Sequence, residues 1–364
     1  MANKIGIVYG YLVKHGGISR YISEIIKRIE NPERFDIMAL ESNIRLPKKV
    51  KLDILETERD KSFMSSTENN LFSESVKRMI DDSDFYVLHS HGVYNFSPDI
   101  YTPHICLKEY FNSIKNFFGE EVFWQNFGNA VHLLETEKNM VKKLDNSAIF
   151  PVSNKVSREL RINYDISARK IAPGSSRFPI SRKNISRCNY RIKKIGFIGN
   201  NIYSKGLVFL KPALNKLSKK GIDIECISAG TDKEVDRYMD SENFKYTPIG
   251  KNSVDESFYK NLDCFICLST YEAYSLSTLE AMSQGVPVVS SDLNGVFFDK
   301  SLQGETFLSQ LRNIDDLEEV ESLMEKILKK KKFRKNIVDQ QIDFSLQNSW
   351  QSTADIYEKV YSSF

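Results

Sequence analysis

Two glutamates, Glu272 and Glu280, stand with seven residues between them in the string Ser269-Thr270-Tyr271-Glu272-Ala273-Tyr274-Ser275-Leu276-Ser277-Thr278-Leu279-Glu280-Ala281-Met282. A carboxylate accepts hydrogen bonds and donates none, so each can take two hydroxyls of a sugar. The first follows an apolar run, Cys264-Phe265-Ile266-Cys267-Leu268, that reads as a buried strand. The second lies where Leu276, Leu279 and Met282 recur at helical spacing. Gly285-Val286-Pro287-Val288-Val289 then supplies another buried strand. A strand, a short loop carrying the small residues Ala273 and Ser275, a helix start and a parallel strand aim backbone N–H groups and the helix dipole at an anion. Carboxylates beside an anion site suit a sugar nucleotide, with diphosphate at the helix end and hydroxyls at the acids.

The elements that must hold this site alternate along the whole chain. Lys4-Ile5-Gly6-Ile7-Val8-Tyr9 reads as a first parallel strand, His15-Gly16-Gly17-Ile18-Ser19-Arg20 as a glycine turn, and Ile18, Tyr21, Ile22, Ile25, Ile26 and Ile29 as one helix face. Further strands are expected at Phe35 to Leu40, Phe85 to His89, Ile105-Cys106-Leu107 and Ala148 to Val152, with helices over Ser73 to Ile80 and Asn129 to Leu144. The polar, basic stretch from Ser181 to Tyr190 reads as a linker. A fresh strand, glycine turn and helix unit opens at Lys194-Ile195-Gly196-Phe197-Ile198-Gly199. Strands at Ile222 to Ala229 and Tyr246 to Gly250 end in small residues, as α/β sheets do where they bind ligands. From Phe344 through Trp350 to Val360 the pattern predicts one amphipathic helix.

A chain of 364 residues accommodates two domains, and 41% hydrophobic with 27% charged residues marks an ordinary globular protein. No run is long and apolar enough to span a membrane, and the first strand is broken by Gly6 and followed by Lys14, so a cytosolic location is expected. Five cysteines without an export signal argue against a disulfide framework. Cys264 and Cys267, despite their spacing, sit in an apolar strand and read as core. The net charge of +3 is unevenly placed: residues 155–194 hold twelve Lys and Arg against Glu159 and Asp165. That region is either a solvated helix and linker or a surface drawn to acidic partners, such as the inner membrane leaflet or an anionic lipid-linked acceptor. Aromatics are not interleaved with the basic residues, so nucleic acid is not expected.

With Glu-Ala-Met and Gly-Val-Pro-Val-Val behind them, Glu272 and Glu280 resemble the E-x7-E region of the family 4 retaining glycosyltransferases, within glycosyl transferases group 1. The resemblance implies the GT-B fold. Its two doubly wound, Rossmann-like α/β domains face each other across a cleft: an acceptor-side domain over residues 1–185 and a nucleotide-sugar domain over 192–343. A final helix over 344–364 crosses back to the first domain. It further implies that Glu280 accepts from the ribose 2′- and 3′-hydroxyls, that Glu272 contacts the donor sugar near its 3-hydroxyl, and that amides of Tyr274, Ser275 and Leu276 hold the diphosphate. Gly199-Asn200-Asn201-Ile202-Tyr203-Ser204-Lys205-Gly206 resembles the family's donor-phosphate loop, which gives Lys205 the role of offsetting charge on the leaving diphosphate. Asn200 stands where the family usually has arginine.

In the first domain the family carries a histidine six residues beyond a proline; counted from Pro103 that position is Glu109. Glu109, Lys108 and His91 are the candidates for this face, His91 having the alternative reading of a structural loop histidine. Gly16 and Gly17 would let backbone approach the donor phosphates or acceptor, or form a plain tight turn. No Asp-x-Asp follows a strand to hold a divalent metal, and no cofactor is expected beyond a UDP- or GDP-linked sugar as donor. The resemblance therefore implies a metal-independent, retaining, hexosyltransferase-like enzyme. It would act on a glycan or lipid-linked glycan in surface polysaccharide or glycoconjugate assembly, in the cytoplasm and peripheral to the inner face of the membrane. The other reading is a catalytically weak relative serving as a glycan-binding or accessory subunit of a partner transferase.

Overall fold

A computed structural model describes residues 4–14, 16–55, 66–181, 191–250 and 253–364, so His15 of the glycine turn and residues 182–190 of the expected linker lie outside the described residues. The chain divides into two units: Met1–Gly174 with Trp350–Phe364, and Ser175–Ser349. The expected linker began at Ser181 and the expected final helix at 344, whereas the contacts divide at 174/175 and 349/350.

The first unit runs β1 (Lys4–Val8), β2 (Tyr11–Leu12), α1 (Gly17–Ile26), β3 (Phe35–Ala39), β4 (Glu41–Ser42), β5 (Lys51–Ile54), α2 (Ser66–Asp81), β6 (Phe85–Ser90), β7 (Ile100–Tyr101), α3 (Leu107–Asn126), α4 (Ala130–Val141) and α5 (Asn154–Tyr164). Its main sheet is parallel in the order β5-β3-β1-β6-β7, with Ile7 opposite Ile37 on one side and His89 on the other. Nearly every residue of β1, β3 and β6 is buried, as helices on both faces of a parallel sheet require.

Two expected strands are corrected. Cys106 and Leu107 form the start of α3, because Leu107 N–H donates to the buried Glu137 carboxylate at 2.9 Å, which satisfies a helix amide from thirty residues away. Residues Ala148 to Val152 contribute only a single bridge, Ile149 to Tyr101.

The second unit runs β8 (Lys193–Ile198), α6 (Leu207–Lys219), β9 (Ile224–Ala229), α7 (Lys233–Met239), β10 (Lys245–Ile249), α8 (Glu256–Lys260), β11 (Cys264–Ile266), α9 (Leu276–Ser283), β12 (Val288–Ser291), α10 (Gly295–Leu302), β13 (Gln310–Leu311), α11 (Leu317–Lys329) and α12 (Lys331–Ser345). The sheet is again parallel, in the order β10-β9-β8-β11-β12-β13. The chain builds outward from β8 to β10, then returns to place β11 on the other side of β8. That reversal opens a crevice between the carboxyl ends of β8 and β11. Gly206 lets the two loops there touch: its φ is +64°, and a Cβ would lie 1.9 Å from the Leu268 carbonyl oxygen.

The single C-terminal helix expected from Phe344 is two helices. α12 stops at Ser345 because Ser175 intervenes, its N–H and hydroxyl donating to the Asn348 carbonyl at 3.2 and 2.6 Å. α13 (Trp350–Tyr361) belongs to the first unit and packs on α1. Gly174 approaches so closely that a Cβ there would meet the Trp350 backbone nitrogen at 2.3 Å.

Beneath α13 lies a buried polar network. His89 Nδ1 is 2.8 Å from Tyr361 Oη and its Nε2 2.8 Å from Thr102 Oγ1; Thr102 Oγ1 is 2.6 Å from Tyr357 Oη. The Tyr21 hydroxyl, 3.2 Å from Tyr357 Oη, donates to the Ile171 carbonyl at 2.9 Å. Each polar atom in this chain has a partner, which is the condition for burying it without penalty. Tyr21 also meets Trp350 and Tyr357 edge-on, contacts worth about 0.5–1.5 kcal/mol apiece beyond their area.

Burial holds His89 and His104 neutral, pushing both down to about 3, and keeps His91 well below its usual value, with neighbouring imidazoles adding to the effect on His89 and His91. An unfolded chain protonates these rings near pH 6.5. Their contribution to stability is therefore complete above pH 6.5 and is lost as pH falls from there toward 3, with a slope of up to about 1.4 kcal/mol per pH unit for each ring. Both tryptophans, Trp124 and Trp350, belong to this unit, so their fluorescence reports its unfolding. The urea midpoint followed this way should drop steeply between pH 7 and pH 5; a flat profile would show that the rings are already protonated in the fold. In the second unit, Gly206→Ala should destabilise by at least about 2 kcal/mol through left-handed strain and overlap with Leu268. Circular dichroism in urea measures this, and a cost below about 0.5 kcal/mol would show that the loop has room to yield.

Candidate active site

The loops at the carboxyl ends of β8 and β11 converge. Residues 199–206 coil tightly: Ser204 N–H donates to Asn201 Oδ1 at 2.7 Å, Lys205 N–H to the Asn201 carbonyl at 3.2 Å, and Gly206 N–H to the Tyr203 carbonyl at 2.9 Å. Thr270 N–H then donates to the Ser204 carbonyl at 3.1 Å, tying this loop to the one after β11. The result is an ion pair between Lys205 Nζ and Glu272 Oε2 at 2.9 Å, both side chains partly open to solvent. Two residues far apart in sequence but assigned to one site do meet.

Glu272 is held by its backbone as well. Its N–H donates to the Leu293 carbonyl at 3.0 Å, and its own carbonyl accepts from Gly295 N–H at 2.8 Å, at the first residue of α10. Asn294, the N-cap of α10, spans to Thr278 Oγ1 at 3.2 Å and so links the starts of α9 and α10. The Glu272 carboxylate is thus carried on a backbone fixed from both sides.

Ser275 caps α9, its hydroxyl accepting from Thr278 N–H at 3.2 Å. The amides of Tyr274, Ser275 and Leu276 have no acceptor among the described residues, as a helix start leaves them. The Tyr274 ring and Ser275 are buried, so this end of the helix presents backbone. Glu280, one turn further on, is only 2% exposed: its Oε2 accepts from the Tyr259 hydroxyl at 2.8 Å and its Oε1 lies 3.0 Å from Arg177 Nε. Asn200 is exposed at the mouth of the loop. The three charged candidates in this unit therefore divide into a partly exposed pair, Lys205 and Glu272, and a covered one, Glu280.

The candidates of the first unit are less alike. Gly16 is the N-cap of α1 and Gly17 its first residue. A Cβ at Gly17 would meet nothing within 4 Å, so packing does not require glycine there and the helix start is open. His91, expected to line the acceptor face, is 3% exposed with Nδ1 3.0 Å from His104 Nε2; it is a packed ring. Glu109, in the first turn of α3, accepts from Asn163 Nδ2 at 2.8 Å, and beside it Lys108 is exposed. No described contact joins Glu109 to His91. The residue that sequence reasoning missed is Arg177. It lies in the basic stretch whose charges looked alike, and no local pattern marks it as the partner of a glutamate 103 positions on (280 minus 177).

Cys106, Cys226 and Cys264 are buried free thiols, and Cys267 is partly buried. Among the described residues no helix is long and apolar enough to cross a membrane.

Residues 183–343 match the family described as glycosyl transferases group 1. No curated protein matches the chain by sequence. Among solved structures, WaaG, a glycosyltransferase involved in lipopolysaccharide biosynthesis, superposes with a TM-score of 0.77 at 13% identity, over 99% of this chain and 100% of its own. The sucrose-phosphate synthase of Thermosynechococcus elongatus gives 0.72 at 14% identity, over 100% of both chains. HepE of Anabaena, solved in complex with UDP and glucose, gives 0.69 at 13% identity, again over 100% of both chains. At such identities these structures speak for the fold. The two Rossmann-like halves have the GT-B fold, and the second of them carries the match to glycosyl transferases group 1.

Proposed function

We propose that the protein is a retaining glycosyltransferase that moves a sugar from a nucleotide-diphosphate donor to a glycan or lipid-linked glycan, in the assembly of a surface polysaccharide or glycoconjugate. The observation that carries this reading is the Lys205–Glu272 pair, 2.9 Å apart at the crevice between β8 and β11, beside the open amides of α9. The diphosphate would lie on those amides and on Lys205, with the donor sugar against Glu272 and the ribose at Glu280. In the reaction the bond from the anomeric carbon to the diphosphate oxygen breaks, and a bond to the acceptor oxygen forms on the same face. The acceptor's hydroxyl proton passes to the departing diphosphate. Charge therefore grows on the phosphate oxygens, where Lys205 and the helix dipole counter it. These groups supply the positive charge without a metal.

The HepE complex with UDP and glucose supports trying UDP-sugars first, then GDP-sugars, and WaaG's part in lipopolysaccharide synthesis supports a surface-glycan acceptor, with the basic 155–194 region as a contact for anionic lipid. Gly16, Gly17 and Glu109 of the first unit would serve the acceptor. His91 would act there only by supporting the packing around it. The exposed Asn200, lacking the family's positive charge, favours a second reading, that of a weakly active accessory subunit.

Incubation with a panel of UDP- and GDP-sugars should release nucleoside diphosphate, and Lys205→Ala should lower turnover by about a hundredfold or more while binding changes less. Turnover unaffected by that change would put the leaving group elsewhere. Absence of release with every donor, alongside tight binding of a partner transferase, would favour the accessory reading. By calorimetry, Glu280→Ala should weaken nucleoside diphosphate binding by about 1.5–3 kcal/mol, the range for a hydrogen bond to a charged group; unchanged affinity in the folded variant would remove Glu280 from the site.

A further inference from the structure

We propose that the lysine-rich corner where α11 gives way to α12 is a docking surface for an anionic lipid bilayer. It concerns where the chain sits, and it stands whether or not the chain transfers a sugar.

Residues 326–335 read Lys-Ile-Leu-Lys-Lys-Lys-Lys-Phe-Arg-Lys and hold no acid. α11 ends and α12 begins within this run, and α6, whose end carries Lys216, Lys219 and Lys220, packs on α11. The carboxylates that reach the corner are engaged: Glu321 and Glu325 with Lys220, Glu325 also with Lys329 at 2.7 Å, and Asp339 with Lys335 at 2.9 Å. Lys216, Lys219, Lys326, Lys330, Lys331 and Lys332 are exposed and make no ion pair among the described residues.

The helix dipole accounts for part of this pattern. Lys326 and Lys329, in the last turn of α11, face the negative end of its dipole, where a cation is favourable. Lys331 and Lys332 open α12 at the positive end of its dipole, behind Lys330, an N-cap without a side-chain bond, and no acid stands in the first turn. Lys331 and Lys335, four apart, repel each other on one helix face. Cations crowded at such a start work against the helix, so folding gives no reason for them and a partner does.

The residue types indicate which anion. Arg334, the one arginine of the run, is buried with Nη1 donating to the Asp263 carbonyl, so no open guanidinium fork is offered to a single phosphate or carboxylate. Phe333, its one aromatic, is partly buried, whereas a base-stacking surface needs exposed rings. Long ammonium side chains leaving an outward helix corner suit a broad anionic surface, on which about four to eight such charges add their attractions.

The bond from Arg334 also locates the corner. Asp263 N–H donates to the Lys194 carbonyl at 2.7 Å and Lys194 N–H to Asp263 Oδ2 at 2.8 Å, so α12 starts beside the amino ends of β8 and β11. The basic stretch over residues 155–194 therefore ends next to the corner. The crevice lies at the opposite ends of these strands, and the six residues of β8 span about 20 Å. A bilayer against the corner leaves the crevice uncovered.

The test is co-sedimentation of the full chain, at near-physiological salt, with vesicles of phosphatidylcholine alone and with a two-to-one mixture of phosphatidylcholine and phosphatidylglycerol. The wild type should bind the mixed vesicles and not the neutral ones, and less as salt rises. Changing Lys326, Lys330, Lys331 and Lys332 together to Gln should lower the partition coefficient by about a hundredfold or more, since each lysine near such a surface contributes about fivefold. The same four changed to Arg should keep the binding. A control changes the exposed Lys48, Lys49, Lys142 and Lys143 of the first unit to Gln; either glutamine set takes the formal net charge from +3 to −1 (3 minus 4). That control should bind within about threefold of wild type, because charges beyond a Debye length are screened. Thermal unfolding checks that each variant is folded. If the mixed vesicles do not bind, or if both glutamine sets lose binding equally, the corner is a solvated face and the proposal falls. Tighter binding of a DNA duplex than of the mixed vesicles at the same salt, lost on changing the corner lysines, would make it a nucleic-acid surface and overturn the proposal as well.

Discussion

The parallel pairing of β8 with β11, with Cys264 opposite Ile195 and Phe265 opposite Gly196, is the constraint on which the candidate site depends. Because β9 and β10 lie on the other side of β8, the loops that leave β8 and β11 turn away from a common line and face a shared opening. Lys205 rides one loop and Glu272 the other. Neither loop could reach this arrangement alone, and the contact between Gly206 and the Leu268 carbonyl sets how closely they approach. The helix that follows β11 then starts at the same opening.

The two glutamates that look equivalent in sequence are handled in opposite ways. Glu272 sits on a loop, paired with a lysine in a half-open setting. An ion pair of that kind contributes little to stability. Glu280 sits inside a helix, covered and held by Tyr259 and Arg177. A group enclosed in that way has little freedom to move.

The first unit uses buried polar groups for a different purpose. Helix α13 comes from the far end of the chain and is joined to the sheet through Tyr361, Tyr357, Thr102 and His89, a run of side chains that satisfy one another. Such a network specifies one docking geometry, because any shift would leave a buried donor or acceptor unmatched. It also makes the docking dependent on neutral imidazoles. His91 is better understood as part of this packing, against His89, His104 and Tyr21, than as a group facing a sugar.

Much of this was legible in the sequence where the signal is local. Apolar runs marked β1, β6, β8, β11 and β12 because strands buried on both faces contain little else, and the 3.6-residue spacing marked α1 and α9. The E-x7-E string and the Gly199 to Gly206 loop stood out because carboxylates and a lysine beside glycines are not residue types that build a core. What the sequence could not decide depends on partners distant in the chain. Ile105 to Leu107 looks like a short strand until Glu137 supplies an acceptor for the Leu107 amide. The helix from Phe344 looks continuous until Ser175 takes up the Asn348 carbonyl. Arg177 looks like one more cation in a basic stretch until the fold lays it against Glu280. Periodicity reports which side of an element is buried, whereas a hydrogen bond between residues a hundred positions apart leaves no trace in the spacing of either, so only the tertiary structure could assign these pairs.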